Sequence, residues 1–287
     1  MRTLSTAGLQ IAPIAGDPES TLELLAGQAA AAKRAVEHLQ LLVLPELHLS
    51  APPGPLADGH GHAARVAVEV PGELTGRLES IAAELGIWLV AGSVYERGEA
   101  GAIHNTALAV SPERGLVAAY RKAFPWQPSE RTEPGRHFVV FELDGVGRAG
   151  LAICYDGFFP EVFRQLAWLG AEVVFQPTLT TTSDRGAELV TARANAIVNQ
   201  LYVVNVNAAA PAGLGRSVIV DPEGMVKVGA GSAEELVTDV LDLDAVSRVR
   251  DFGTAGVSRM WRQIDSGAAA EVELPMYEGG RIRPRPR

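Results

Sequence analysis

Short apolar runs alternate along this chain with longer segments that are apolar on one face only. The runs LSTAGLQIA and LQLLVLPE near the N-terminus are typical of buried strands. The segment between them predicts an amphipathic helix, whose apolar face would consist of Leu22, Leu25, Ala29, Ala32 and Val36. This helix should begin at Asp17-Pro18, an N-cap followed by a proline at the first helical position.

The middle and later parts of the chain continue the alternation. Five strand patterns, separated by turn signals, are IWLVAGSVYER, IHNTALAVS, GLVAAYRK, HFVVFEL and GRAGLAIC. Helices are predicted for residues 160–169 and 184–200, with the strand patterns AEVVFQP and LYVVNVN between and after them. RSVIVDPEGMVKV predicts a hairpin, and residues 50–62, rich in Gly, Pro and His, predict a loop.

This order of elements favours one α/β domain over the whole chain, residues 1–287. No linker, composition shift or fixed-period repeat divides the sequence. Sheets should therefore lie in the middle with helices outside. The end of the chain, RIRPRPR, is basic and rich in proline, so an extended tail is expected from about residue 272.

Charge and cysteine content exclude several classes of function. A net charge of −9 argues against a nucleic-acid-binding surface, which needs clustered Lys and Arg. A single cysteine forms no internal disulfide, so nothing indicates an oxidising compartment. The N-terminus shows no targeting pattern and no segment predicts a membrane span. We therefore expect a cytoplasmic protein that contacts neither nucleic acid nor membrane.

That single cysteine, Cys154, stands where the strand pattern GRAGLAIC stops and YDGFFP begins. Free cysteine is most often a small buried hydrophobe, so taken alone this residue is more consistent with a structural role. Its position at a strand-to-helix turn favours catalysis, because α/β folds place their sites at such sheet edges. A nucleophilic thiol, however, needs a group that takes its proton.

The histidines are weak candidates for that group. None of the six lies in a distinctive motif, and the pair His60 and His62 falls in a glycine-rich loop. This pair has no accompanying carboxylate or cysteine ligands, so no metal site is expected. The sequence indicates no cofactor either.

Carboxylates and one lysine are better candidates. Glu46 ends a buried apolar strand and Lys122 ends another, while Glu130 and Glu133 follow in the loop QPSERTEPG. Taken singly, Glu46 is more consistent with a strand end that faces solvent, and Lys122 is equally consistent with one. The two loop glutamates could simply be exposed. As a set with Cys154, they supply a proton acceptor, an oxyanion-stabilising cation and a nucleophile for cleaving a carbon–nitrogen bond.

With these motifs in order, LLVLPE, YRK and AICYDGFFPE, the chain resembles the nitrilase superfamily of carbon–nitrogen hydrolases over about residues 3–265. The resemblance implies a four-layer α-β-β-α sandwich and a homodimer or larger homo-oligomer. It also implies that Glu46 is the base, Lys122 the catalytic lysine and Cys154 the nucleophile. The second glutamate of the family corresponds best to Glu130, with Glu133 as the alternative.

The residues next to these motifs indicate which branch of the superfamily the chain resembles. YRKAFPWQPSERTEPG resembles aliphatic amidases and formamidases, whereas Tyr155-Asp156 stands where true nitrilases have Trp-Glu. Carbamoylases and ω-amidases tend to carry an arginine just after Cys-x-Asp, where this chain has Gly157 and Phe158. The resemblance therefore implies an amidase that forms a thioester with a small, uncharged or apolar amide and disfavours a substrate carboxylate. Aliphatic amidases have an acidic residue in place of Tyr155, and this departure leaves the substrate open.

Other activities remain compatible with the sequence. The same thioester could serve an N-carbamoyl amidohydrolase or an acyltransferase, and a binding protein with an inactive site is a further alternative. A nucleotide-binding protein is disfavoured, because no phosphate-binding glycine motif follows a strand. Four aromatic residues are candidates for lining a substrate pocket, although packing in the core is an equal alternative for each: Trp126, Tyr155, Phe158 and Phe159.

Replacing Cys154 with alanine is expected to abolish turnover and to leave the fold intact, since the change removes the nucleophile and little volume. Amide hydrolysis and circular dichroism of the variant check this expectation. Turnover retained by a folded Cys154→Ala variant would disprove the nucleophile assignment.

Overall fold

The computed structural model describes residues 1–54, 59–267, 274 and 276–282, and within them two six-stranded sheets are packed face to face. The helices are α1 (Pro18–Ala35), α2 (Gly59–Val66), α3 (Glu73–Leu85), α4 (Pro160–Trp168), α5 (Arg185–Asn199), α6 (Asp244–Phe252) and α7 (Met260–Asp265). The strands are β1 (Thr3–Gln10), β2 (Leu41–Val43), β3 (Trp88–Arg97), β4 (Ile103–Ser111), β5 (Gly115–Arg121), β6 (Val140–Leu143), β7 (Gly147–Leu151), β8 (Val173–Thr178), β9 (Tyr202–Asn207), β10 (Val218–Val220), β11 (Val226–Gly229), β12 (Glu235–Asp242), β13 (Tyr277–Glu278) and β14 (Arg281–Ile282).

The two large sheets have the same plan. The first has the order β12-β1-β2-β3-β4-β5 and the second the order β11-β10-β9-β8-β7-β6. In each sheet the three central strands, β1-β2-β3 and β7-β8-β9, are parallel, and the flanking strands are antiparallel. Parallel central strands require crossover helices, which is why helices lie outside the sheets.

Buried apolar side chains form the contacts between successive layers. One cluster lies between the two sheets and includes Val43, Tyr120 and Phe175. A second joins the first sheet to α1 and α3, and a third joins the second sheet to α4 and α5. The architecture is therefore the four-layer α-β-β-α sandwich that the sequence predicts.

Local signals account for the helix ends that the sequence predicts. The Asp17 carboxylate accepts a hydrogen bond from Ser20 N at 3.0 Å, and Pro18 fills the first helical position of α1. Helix α3 ends at Gly86, whose φ of +61° lies in the left-handed region that favours glycine. Helix α4 likewise begins at Pro160.

The segment expected to be a loop over residues 50–62 differs from the expectation, because α2 begins within it at Gly59. Glycine and histidine give this segment a weak helix propensity. Tertiary packing overrides that propensity: Ala63 and Ala67 lie against Leu47 and Tyr95. The His62 ring is buried and its Nε2 lies 2.7 Å from Ser50 O, in a contact that holds α2 to the preceding turn.

Two further expectations concern the C-terminal tail and the absence of a membrane-spanning segment. In the C-terminal tail the structure describes the short hairpin β13–β14, and residues 283–287 lie outside the described residues. No helix in the described part of the chain is both long enough and apolar enough to cross a bilayer.

A close approach of backbones positions Glu46 at the end of β2. Strand β3 has a register shift between Val90 and Ser93, and Gly92 inside it has a φ of +67°. A Cβ atom at Gly92 would lie 2.0 Å from Pro45 O, the carbonyl directly before Glu46. A glycine is therefore required where β3 passes under this turn.

Gly92→Ala is expected to lower the free energy of unfolding by about 3 kcal/mol, through backbone strain and displacement of the Pro45–Glu46 turn. Denaturant unfolding measures this loss. Gly76→Ala is the matched control: this site in α3 has no atom within 4 Å of the added Cβ. It should be neutral or stabilising by about 1 kcal/mol. Equal stability of the two variants would contradict the role given to Gly92.

Candidate active site

Lys122 lies in the interior between two carboxylates. Its ammonium nitrogen is 2.8 Å from Glu46 Oε1 and 2.7 Å from Glu130 Oε2. The Lys122 side chain is 2% exposed and the Glu46 side chain 4% exposed, so both charges are removed from water. Glu46 lies just after β2, Lys122 directly after β5, and Glu130 in the loop between β5 and β6. The fold brings the three side chains into direct contact.

Asn105 joins the two carboxylates and was not singled out in the sequence. Its Nδ2 donates to Glu46 Oε1 at 2.8 Å and to Glu130 Oε1 at 2.9 Å. Asn105 is fully buried in β4, opposite Lys122, whose backbone N donates to Asn105 O. The available signal was a polar amide within the apolar strand pattern IHNTALAVS, since a buried amide needs partners.

The loop after β5 distinguishes the two candidate glutamates. The Glu130 carboxylate contacts Lys122 and also accepts hydrogen bonds from Trp126 N at 2.9 Å and from Thr132 Oγ1 at 3.0 Å. Glu133 is exposed, and its backbone N donates to Ile103 O. The structure thus places Glu130, and not Glu133, in the cluster.

Cys154 begins a 3-10 turn at the end of the second sheet, with a φ of +43° that non-glycine residues rarely adopt. The turn is held by the buried Asp156 carboxylate, which accepts from Ile153 N, Tyr120 OH and Phe124 N at 2.9 to 3.0 Å. These hydrogen bonds hold Cys154 in its left-handed conformation, and strained residues at active sites are commonly held in this way. The geometry resembles the sharp strand-to-helix turn that presents a nucleophile in other α/β enzymes.

A second polar network lies beside the sulfur. Cys154 Sγ lies 3.7 Å from Thr180 Oγ1, which donates to Glu188 Oε2 at 2.5 Å. Glu188 is buried and pairs with the buried Arg185 at 2.7 Å. Neither Thr180 nor Glu188 was predicted from the sequence.

Burial and neighbouring charges set the protonation of the cluster. Burial raises the pKa of Glu46, although Lys122 opposes this. Burial alone would lower the pKa of Lys122, but Glu130 and Glu46 hold it well above its ordinary value. Burial would raise the pKa of Glu130, but Lys122 holds it below its ordinary value. The lysine is therefore cationic, and Glu130 is a permanent anion beside it.

The thiol is in its neutral form at rest. Burial, followed by the Glu46 carboxylate, raises the pKa of Cys154 well above its ordinary value. A reaction at this sulfur therefore needs a neighbouring proton acceptor, and Glu46 is a carboxylate whose pKa burial has raised.

A cleft opens beside the sulfur and brings together three of the four predicted pocket aromatics. Its lining consists of Trp126, Cys154, Tyr155, Phe158, Leu179, Thr180, Thr181, Thr182 and Asp184. Phe159, the fourth candidate, is not part of this lining, which is consistent with the core packing that the sequence left open for it. It stacks on Phe124 with ring centroids 3.7 Å apart and packs against the core between the second sheet and its helices. Both Phe158 and Phe159 contact the Tyr155 ring, with centroids 5.5 and 5.3 Å apart, but only Phe158 lines the cleft.

Metal coordination has no evident place in this arrangement. Within the described residues, no group of three or more His, Cys, Asp or Glu side chains is placed to hold a metal ion. Lys122 occupies the position between the two carboxylates of the site.

Comparison with known proteins agrees with this geometry. The sequence matches the carbon–nitrogen hydrolase family over residues 5–251. A hydrolase of Mycobacterium tuberculosis is 33% identical over 261 residues, covering 82% of this chain and 88% of its own. The ω-amidase Nit2 of Xenopus tropicalis is 33% identical over 202 residues, covering 64% of this chain and 72% of its own.

Solved structures show the same fold. Nit3 of Saccharomyces cerevisiae, a nitrilase superfamily member, superposes with a TM-score of 0.79 at 26% identity, covering 87% of this chain and 94% of its own. An amidase from Nesterenkonia sp. superposes with a TM-score of 0.73 at 26% identity, covering 86% and 94% respectively. A Glu-to-Gln variant of that amidase carries the acetamide moiety of fluoroacetamide covalently on its active-site cysteine.

Glu46→Gln is expected to lower the pKa of the Cys154 thiol, because a neutral amide replaces a carboxylate that disfavours the thiolate. Turnover should be lost in the same variant. A pH titration of thiolate absorbance in the ultraviolet measures the midpoint, with Glu133→Gln as the exposed control that leaves it in place. A midpoint that rises in Glu46→Gln, or stays where it was, would contradict the electrostatic role of Glu46.

Proposed function

Because the chain belongs to the carbon–nitrogen hydrolase family, we propose that it is a cysteine-dependent amidase. It would hydrolyse a small linear amide through a thioester and release ammonia or an amine. The observation that carries the proposal is the buried cluster in which Lys122 contacts both Glu46 and Glu130 and interacts electrostatically with Cys154.

Acylation begins with transfer of the Cys154 proton to Glu46. The sulfur forms a bond to the amide carbonyl carbon, and the carbonyl electron pair moves to the oxygen. Lys122 and the backbone N–H of Tyr155 stabilise this oxyanion. The carbon–nitrogen bond then breaks, Glu46 returns the proton to the departing nitrogen, and the thioester remains on Cys154.

Deacylation repeats the sequence with water. Glu46 accepts a proton from the water molecule as the water oxygen attacks the thioester carbonyl. Lys122 and the backbone N–H of Tyr155 stabilise the second oxyanion. The carbon–sulfur bond breaks, the carboxylic acid leaves, and the proton returns to the sulfur. The enzyme is regenerated without a cofactor in this scheme.

Glu130 has a different task from Glu46 although both contact the same lysine. Lys122 keeps the pKa of Glu130 low, whereas burial raises that of Glu46. Two carboxylates with pKa values shifted apart suit two roles. Glu46 carries protons, and Glu130 keeps Lys122 charged and in position.

The substrate is proposed to lack a carboxylate. Phe158 lies in the cleft at the place where the resemblance to ω-amidases would lead one to expect an arginine. The uncharged and apolar amides expected from the sequence are therefore the first compounds to test. The enzyme is also proposed to work as a homodimer or larger homo-oligomer, for which exposed apolar side chains such as Trp168 and Val190 are available.

Ammonia release from a panel of simple amides, carbamoyl compounds and nitriles tests the proposal. Release from amides alone, with the matching acid as the second product, is expected. An acyl product on added hydroxylamine that exceeds the acid would instead identify an acyltransferase. No release from any amide, together with a Cys154 inert to iodoacetamide, would favour a binding protein with an inactive site.

A further inference from the structure

The cleft beside Cys154 carries one acidic side chain and no basic one. Among its nine lining residues, Asp184 has the only charged side chain besides the titratable thiol. It lies in the Thr181–Asp184 segment, which follows β8 and leads into α5.

The Asp184 carboxylate is only partly engaged by contacts within the protein. It precedes α5 at the N-cap position, where an aspartate commonly accepts a hydrogen bond from the first turn, yet its side chain makes no such bond. Thr182 Oγ1 donates to Asp184 Oδ1. Within the described residues no cationic side chain pairs with this carboxylate, so Oδ2 is available to a ligand.

The neighbouring positive charges are engaged elsewhere. Arg185 is buried and directs its guanidinium to Glu188 and to the carbonyls of Gly215 and Arg216. Lys122 is paired with two carboxylates. The start of α5 contributes about half a positive charge, which the full charge of Asp184 exceeds. The net charge that a substrate meets at this wall is therefore negative.

Three aromatic side chains complete the lining. Trp126, Tyr155 and Phe158 border the cleft, and the rings of Tyr155 and Phe158 lie 5.5 Å apart. Aromatic faces attract cations, and a carboxylate combined with aromatic rings is a common way to bind an ammonium group. This lining suits a cation better than the neutral or apolar group that the sequence suggested.

We propose that the substrate amide carries an ammonium group at the end away from the scissile carbonyl, and that Asp184 selects it. This inference rests on the proposed amidase function and refines its substrate class. Asp184 forms the ion pair, and the aromatic residues surround the chain that links the ammonium group to the amide. The same charge repels substrates that end in a carboxylate.

Three amides of similar length test the selection in the purified full-length protein: 5-aminopentanamide, hexanamide and glutaramate. The wild-type kcat/KM is expected to be about tenfold higher for the cationic amide than for the neutral one, and lowest for the anionic one. Most of the difference should appear in KM. The cationic preference should also shrink as salt is added, because the ion pair at the cleft is partly exposed.

Variants at Asp184 identify the residue responsible. In Asp184→Asn the ratio of cationic to neutral kcat/KM should fall to about one, while Asp184→Glu should retain a preference. Asp184→Lys should favour the anionic amide over the cationic one. Asp251→Asn, which removes an exposed carboxylate on α6, is the charge-matched control and should keep the wild-type ratio.

The outcomes distinguish a failure of the role proposed for Asp184 from a failure of the proposed amidase function. Hydrolysis of hexanamide without a cationic preference in the wild type, or with a preference that Asp184→Asn retains, overturns the role of Asp184 and leaves the amidase intact. If the protein hydrolyses none of the three amides and no amide of the wider panel, both the amidase function and the role of Asp184 are wrong. Should Asp184→Asn fail to fold, the ratios measured for Asp184→Glu and Asp184→Lys still decide.

Discussion

The buried ammonium group of Lys122 is the charge around which the site is organised. Removing an ammonium ion from water costs several kcal/mol unless anions and hydrogen bonds replace the lost hydration. Glu46 and Glu130 supply the anions, and Asn105 fixes both of them. Any one of these groups left alone would be an uncompensated buried polar group, so they act as a unit.

Cys154, the proposed nucleophile, follows a strand of the second sheet, so the proposed reaction requires the two sheets to be packed together. Glu46 follows a strand of the first sheet, yet its Oε2 accepts a hydrogen bond from Leu179 N of the second sheet at 2.8 Å. This bond links the base to the half of the molecule that carries Cys154 and Thr180. The arrangement of the cluster around Glu46 therefore depends on a contact between the two halves of the sandwich.

The order of helices and strands could be predicted from the sequence because periodicity and end signals are local. Helices α1 and α4 begin at the prolines that the sequence indicates. Helix α2 could not be predicted, since its sequence is a weak helix former and its packing against Tyr95 involves residues distant in the chain. Asn105 was missed for a similar reason, because its two partners come from different loops.

The sequence by itself determined the α/β class, the strand ends that carry Glu46, Lys122 and Cys154, and the likeness to carbon–nitrogen hydrolases. Only the tertiary structure decided that Glu130 contacts the lysine, that Phe159 packs on Phe124 beside the core and that Asp184 lines the cleft. The reason is physical. Hydrophobic pattern records which positions are buried, whereas the direction of a side chain in a loop depends on the packing of segments far apart in sequence.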